Sequence, residues 1–434
     1  MKKKVLVLST FDTNGAGDAM FKIAEVLIDL GCEVLMVVKH KSKQNDFIKA
    51  YNNDRAPSIV RRVYNKVRTR LGITAKHQLK AEHKYLFLSK DEVSENIDVQ
   101  SFLGFIGFVP EFIFTGLTVD FINSTDLLNI YTVTQAKIFN ITVDMNHFTG
   151  GCHYSWGCEG YINGCNNDCP AILSEHFKDQ ATINFNAKLH NVQKGSIKVI
   201  AGSGLTLQQA KASKIYKNQE IIYNINSVID TRIMNAKFRT HAKSFFNLAS
   251  GKFYILLGAY YLNDERKGFK YLVDALNIIY DQSSEELRNR VCLLVVTKYP
   301  SNDLDAIRFN KKYIDFITDY RLLSILYQAS DLFVNTSIED SGPMMVSEAL
   351  ACGTPVVGFD TGILINMVEN GRNGFKVPVG NSGLLSEGIR KIILLTKEEY
   401  NQYSNFSVKM VEEYSSYEYA KNIFSKILTS KWRN

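Results

Sequence analysis

Short apolar runs alternate with stretches whose apolar residues return every three or four positions. "KVLVLSTF" (4–11) is followed by the polar loop "DTNGAGD" (12–18). Met20, Ile23, Ala24, Leu27 and Ile28 then repeat at helical spacing, and Gly31 stands where a helix stops. "CEVLMVV" (32–38) is the next apolar run. The same order returns with "FYILLGA" (253–259), the loop "YYLNDERK", a helical repeat at Phe269, Leu272, Val273, Leu276 and Ile279, and "VCLLVVT" (291–297). Strand, loop, helix and strand, twice over, predict two doubly wound, Rossmann-like α/β domains. The pattern pauses near "IIYNINSVIDTRIM", which puts the domains at 1–225 and 226–415. A closing helix within 416–434 is expected to pack back toward the first domain. Ligands of such sheets lie beyond the carboxyl ends of the strands, here expected in a central cleft faced by both domains.

A chain of 434 residues suits two domains, and 45% hydrophobic with 22% charged residues is a globular balance. No apolar run reaches the roughly 18 residues of a spanning helix. The opening "MKKKVLVLSTFD" reads as a buried strand and not as a signal peptide. Without such a signal, seven cysteines point to a reducing cytoplasm. A net charge of +7 is too mild to argue for nucleic acid. The basic residues do crowd between Lys39 and Lys84. In "SIVRRVYNKVRTRLG", Ile59, Val60, Val63, Val67 and Leu71 share a face ringed by Arg61, Arg62, Lys66, Arg68 and Arg70. A basic amphipathic helix over 59–71 would suit an anionic inner membrane surface; the alternative is a solvated helix on its own domain.

A dinucleotide oxidoreductase is poorly supported. Gly15 and Gly17 are followed by Met20 where a third glycine belongs, and the second strand ends in Lys39 and His40 with no ribose-binding acid. Attention moves to "EDSGPMMVSEALACGTPVV" (339–357). The chain leaves the apolar run "DLFVNTS" at Glu339 and Asp340, Pro343 suits the first position of a helix, and Gly353 with Pro355 ends it. The amides of Met344 and Met345 then head a helix N-terminus, a natural anion site. Asp340 stands at its mouth. Glu348, among Ala349, Leu350 and Ala351, is costly without a partner. One acid for sugar hydroxyls, one for a ribose and amides for a diphosphate describe a nucleotide-sugar pocket.

"SIEDSGPMMVSEALACGTPVVGFDTG" resembles the donor-site signature of family 4 glycosyltransferases, retaining enzymes of the glycosyltransferase-B fold. Their two acids, eight positions apart, fall on Asp340 and Glu348. The resemblance extends to "LNDERKGFKYLVDAL", whose Lys267 matches the lysine on the donor diphosphate, and to "LSILYQASDLFVNTS" and "VENGRNGFKVPVG". It implies that Asp340, Asp144 and Lys267 carry the chemistry. Glu348, Arg266, Lys267, Gly15, Gly17, Pro343, Met344 and Met345 would hold the donor. The acceptor hydroxyl would attack from the face the diphosphate leaves, with a phosphate oxygen taking its proton, and the cations would make a catalytic metal unnecessary. Three departures stand out. Ala259 follows Gly258 where the family has arginine, a role left to Arg266. "TGILINM" replaces the usual Gly-Gly-Pro-Glu. Val143 replaces a histidine aimed at the donor sugar, a contact left to Asp144, His147 or His153. "DLD" at Asp303–Asp305, which imitates a metal-binding pair, reads as a decoy.

"TGGCHYSWGCEGYINGCNNDCP" packs Cys152, Cys158, Cys165 and Cys169 into 18 residues. Four clustered thiols suggest a structural zinc, though the spacing is looser than paired CxxC; unliganded thiols and disulfides remain open. The surrounding block resembles a segment of bacterial glycosyltransferases that build capsule, exopolysaccharide and O-antigen. That implies a hexosyl transfer to a glycan or lipid-linked acceptor, by a cytoplasmic protein touching the inner face of the plasma membrane through 59–71. A nucleotide-sugar epimerase and a catalytically inactive sugar-nucleotide-binding protein are the alternatives.

Overall fold

The computed structural model describes residues 2–51, 79–218 and 221–430. The basic segment 59–71 lies outside the described residues. The chain forms two compact units, one from Met1–Ile200 and Gln209–Ile222, the other from Ala201–Gln208 and Tyr223–Ser430. No helix among the described residues is long and apolar enough to cross a membrane.

In the first unit the strands are β1 (Lys4–Phe11), β2 (Glu33–His40), β3 (Ile48–Ala50), β4 (Phe112–Thr115), β5 (Lys137–Thr142), β6 (Lys198–Ala201) and β7 (Ile221–Asn224), in the order β3-β2-β1-β4-β5-β6-β7. β1 pairs in parallel with β2 and with β4, and β4 with β5. Parallel strands with helices on both faces must be apolar on both sides, and Val5, Leu6, Val7 and Leu8 are fully buried. The helix after β1 runs Asn14–Asp29 and buries Met20, Ile23, Ala24 and Leu27, four of the five positions its periodicity selects.

The second unit has β8 (Phe253–Tyr261), β9 (Val291–Tyr299), β10 (Asn310–Ile314), β11 (Leu332–Asn335), β12 (Val356–Phe359) and β13 (Gly374–Val377), all parallel, ordered β10-β9-β8-β11-β12-β13. Alternate residues of β8 feed two cores. Ile255 and Leu257 join Phe269, Leu272, Leu276 and Leu385 on one face. Tyr254 and Leu256 join Tyr327, Val346, Leu350 and Val411 on the other. The order reverses between β8 and β11, so the loops leaving these neighbouring strands open side by side.

Those two loops are fastened together. The loop after β8 ends in a tight turn, Glu265–Lys267, capped by the Asp264 side chain. Gly268 closes it with φ +58°, and a Cβ there would lie 2.2 Å from the carbonyl oxygen of Thr336. Ile338 N donates to Arg266 O (2.7 Å) and Thr336 Oγ1 to Lys267 O (2.9 Å). Residues 201–208 join the same unit: Leu205 N donates to Gly362 O (3.2 Å), Gly204 N to Asn366 Oδ1 (3.1 Å), and Ser203 Oγ to the carbonyl of Ser341.

Gly268→Ala combines a left-handed backbone with a main-chain clash and is expected to cost about 2–4 kcal/mol of stability. Chemical denaturation checks it, and a loss below about 0.5 kcal/mol would contradict the close approach of the two loops.

Candidate functional site

Lys267 follows β8 and Asp340 follows β11, so strand adjacency brings them together: Lys267 Nζ lies 2.5 Å from Asp340 Oδ2. Ser337 Oγ donates to the same oxygen (3.3 Å), and Gly342 N to Oδ1 (3.2 Å). Burial pushes the Asp340 carboxyl toward its neutral form. The Lys267 ammonium outweighs that, helped by its hydrogen bond, the Gly342 amide and Arg266, and the net result lies below the usual carboxylate range. Asp340 is therefore an anion fixed by four neighbours. Arg266, beside Lys267 in sequence, is forked onto Asp264, with Nη2 to Oδ2 at 2.5 Å and Nε to Oδ1 at 3.2 Å.

The helix Met344–Ala351 begins one residue later than the sequence pattern suggests. Pro343 is the residue before it, with extended ψ of 110°, and its carbonyl accepts the first helical bond from Val346 N (3.1 Å). The amides of Met344 and Met345 precede that bond at the positive end of the helix. The side chain of Met345 packs over Gly258: a Cβ on Gly258 would meet Met345 Cε at 2.6 Å. Gly353, at φ +71°, follows the helix end.

Glu348 lies one turn in, 4% exposed, and its Oε2 accepts from Tyr327 Oη at 3.0 Å. Burial, then the Glu348 charge, raise the Tyr327 phenol well above its ordinary value, so it stays a donor. Tyr327 has no signature in the sequence; it reads as one more apolar position in "LSILYQASDLFVN". Asp303 and Asp305 are exposed on a short helical turn, Asn302–Ala306, and no group of three or more His, Cys, Asp or Glu among the described residues stands ready to hold a metal.

In the first unit the two glycines after β1 differ. A Cβ on Gly17 would lie 2.8 Å from the Phe11 carbonyl oxygen, so the helix can approach the strand end only with glycine there, whereas Gly15 faces open space. Asp12, fully buried and without a signature in the sequence, takes the amides of Ser42 and Lys43, each at 2.8 Å, and so ties the loop after β2 to the end of β1.

Asp144 follows β5 and is buried. Its Oδ2 lies 2.7 Å from His153 Nδ1 and its Oδ1 accepts Asn146 N at 2.8 Å. Burial works against its charge, but His153 prevails and its carboxyl lies below the ordinary range. His153 Nε2 is buried with no hydrogen-bond partner among the described residues. His147 lines a different feature, a cavity of about 110 Å³ bounded also by Glu92, Asn123, Asn140, Asn146 and Lys188. Burial holds its imidazole down, to about 4, despite the pull of Asp144, so it is neutral at neutral pH. Inside this cavity Lys188 Nζ sits 3.3 Å from Glu92 Oε1 and donates to Asn146 O at 2.7 Å. Val143, beside Asp144, supplies no polar side chain.

The four clustered cysteines are free thiols that border a common cavity with Tyr85 and Phe87. Cys152 and Cys169 share a hydrogen bond that raises the first thiol and lowers the second.

Residues 252–394 match the family model of glycosyl transferases group 1. No curated protein matches the sequence. Among solved structures the chain is similar to Anabaena Alr3699/HepE in complex with UDP and glucose, with TM-score 0.61 at 15% identity over 99% of this chain and 100% of that one. Sucrose-phosphate synthase from Thermosynechococcus elongatus gives 0.63 at 14% identity, over 98% of each chain. WaaG, a glycosyltransferase involved in lipopolysaccharide biosynthesis, gives 0.55 at 12%, over 98% of this chain and 100% of that one. These likenesses establish the glycosyltransferase-B fold, two parallel-sheet α/β units.

The depressed Asp340 carboxyl makes a pH prediction. Its contribution to stability is full above the unfolded carboxylate value of about 3.9 and is lost as pH falls through its lower folded value. Wild type should exceed Asp340→Asn by roughly 1–2 kcal/mol at pH 7, a gap that closes as pH drops from about 4 toward 2. Denaturant titrations at stepped pH measure it; a gap independent of pH would show that Asp340 is not held by Lys267.

Proposed function

We propose that the chain is a retaining, family 4 glycosyltransferase that moves a hexosyl group from a nucleotide-diphospho sugar to a hydroxyl of a glycan acceptor. The observation that carries this reading is the Lys267–Asp340 pair beside the leading amides of Met344 and Met345, inside the segment that matches glycosyl transferases group 1. A lysine and a helix N-terminus together suit a diphosphate. A carboxylate kept ionised by its neighbours suits sugar hydroxyls. The complexes of HepE with UDP and with UDP-glucose support a uridine donor, at the level of fold.

Donor binding would then exchange partners. The diphosphate draws Lys267 and Arg266 away from Asp340 and Asp264, and Asp340 turns to the sugar hydroxyls. Glu348, oriented by Tyr327, takes the ribose. Gly15 leaves the backbone of the first loop bare for close approach, and Gly17 lets the helix of that loop pack on the strand end. As the bond from the anomeric carbon to the phosphate oxygen breaks, the acceptor oxygen bonds to that carbon from the same face. Its proton passes to a phosphate oxygen. Lys267, Arg266 and the helix amides stabilise the charge on the leaving diphosphate, and this role needs no metal. Asp144, held by His153, serves as the polar partner of the sugar that a valine at 143 cannot be.

The acceptor is proposed to be a lipid-linked glycan of bacterial surface polysaccharide. The chain would work in the cytoplasm, with residues 59–71 touching the inner face of the membrane. That WaaG is involved in lipopolysaccharide biosynthesis is in keeping with this. Val143 and Ala259 favour a second reading, a sugar-nucleotide-binding protein without turnover.

Calorimetric titration of UDP, GDP, ADP and NAD into wild type and Glu348→Ala tests the donor site. One diphosphate should bind, and the variant should bind it at least tenfold more weakly, about 1.4 kcal/mol. Equal binding by the variant, or binding of NAD alone, would refute the site. With the matching sugar nucleotide, Lys267→Ala should lower kcat by roughly 10²–10³-fold. An intact donor that is bound but never turned over with any glycan acceptor would select the second reading.

A further inference from the structure

The thiols of Cys152, Cys158, Cys165 and Cys169 come from a stretch with very little regular structure. Between Asp144 and Asp179 the elements are two three-residue turns, Asn146–Phe148 and Glu175–Phe177, and the four-residue helix Gly160–Asn163. A segment of this length inside a compact unit needs an internal fastening. Met145, Phe148 and Tyr161 tie its first part to the main core, while the rest packs on a small cluster, Tyr85, Phe87, Ala171, Ile172 and Ala181, with the four cysteines around it.

All four thiols border one cavity of about 30 Å³, the space of one or two small atoms. Two are hydrogen-bonded sulfur to sulfur, Cys152 with Cys169. The other two flank a single point: a Cβ on Gly160 would lie 3.3 Å from Cys165 Sγ and 3.4 Å from Cys158 Sγ. Main-chain amides face the sulfurs. Gly160 N donates to Cys158 Sγ at 3.4 Å, Gly150 backs Cys165, and Ala171 and Ile172 back Cys169. Amide donors do little for a disulfide or a neutral thiol, but they stabilise thiolate charge, as outer partners of metal ligands do.

We infer that these four cysteines form a structural, all-thiolate zinc site that holds the loop carrying Asp144 and His153. As placed, the four thiols do not form a ready-made metal cage among the described residues. Loss of the protons and four bonds of about 2.3 Å would bring them into a tetrahedron with sulfurs some 3.8 Å apart. His153 is the neighbour of Cys152 and the partner of Asp144, so the metal would set the position of that pair. Such a site stands whether or not the proposed transferase activity does.

The test is metal content of the full chain, purified without chelator, by elemental analysis, together with its intact mass. About one zinc ion per chain is expected, released by a mercurial thiol reagent and absent from Cys158→Ser but retained by Cys292→Ser. Cobalt(II) loaded into the metal-free wild type should give the sulfur-to-cobalt charge-transfer band of a tetrahedral thiolate site, a readout that survives if Cys158→Ser does not fold. Metal-free protein with all four thiols open to alkylation, an intact mass short of four hydrogens as two disulfides require, or cobalt without a sulfur band would each overturn the assignment.

Discussion

The contact between Lys267 and Asp340 depends on the order of the strands. The two residues are 73 positions apart in sequence, and they meet because β8 and β11 are neighbours at the point where the sheet reverses its winding. A lysine and a carboxylate so placed neutralise each other without a ligand, which lets a partly buried acid remain ionised. The same arrangement leaves both groups ready for exchange, since each is held by a charge and not by packing. The parallel sheet has this property in general: it is apolar throughout its body, and its polar groups gather in the loops at the carboxyl ends of the strands.

Burial divides the two acids of the second unit. Asp340 has a cation for company, whereas Glu348 is buried and accepts a hydrogen bond from the phenol of Tyr327. A buried tyrosine cannot ionise beside a carboxylate, so it behaves as a fixed donor. Acid and phenol form a buried polar pair, and Thr354 Oγ1 donates to the carbonyl of the same tyrosine. In the first unit Glu92 and Lys188 form another such pair, there among asparagines and a neutral histidine.

The sequence makes the strands and the leading helices visible because both faces of each sheet are covered: continuous apolar runs and a 3.6-residue repeat leave few other readings. Asp340, Lys267 and Glu348 are visible through short local patterns, a carboxylate before a helix, a basic pair after a strand and an acid among small apolar residues. What escapes is long-range. Tyr327 lies 21 residues before its partner on another helix. Asp12 acts on amides about thirty residues away, and Lys188 meets Glu92 from the buried face of the helix Gln180–Lys194. The short run 201–208 belongs with the second unit although it precedes the last strand of the first sheet, an excursion no periodicity records. Pro343 stands one residue outside its expected place, because its carbonyl begins the helical bonding while its own ψ remains extended.

The turn Glu265–Lys267 joins two loops, and its fastening also bears on thermodynamics. Asp264 caps it, Gly268 closes it, and Thr336 and Ile338 bind two of its carbonyls. The backbone around Lys267 has therefore already given up its conformational freedom during folding. A ligand that engages the lysine has little further ordering entropy to offset. What it must overcome is one ion pair, an electrostatic cost that salt can tune and that loop flexibility cannot.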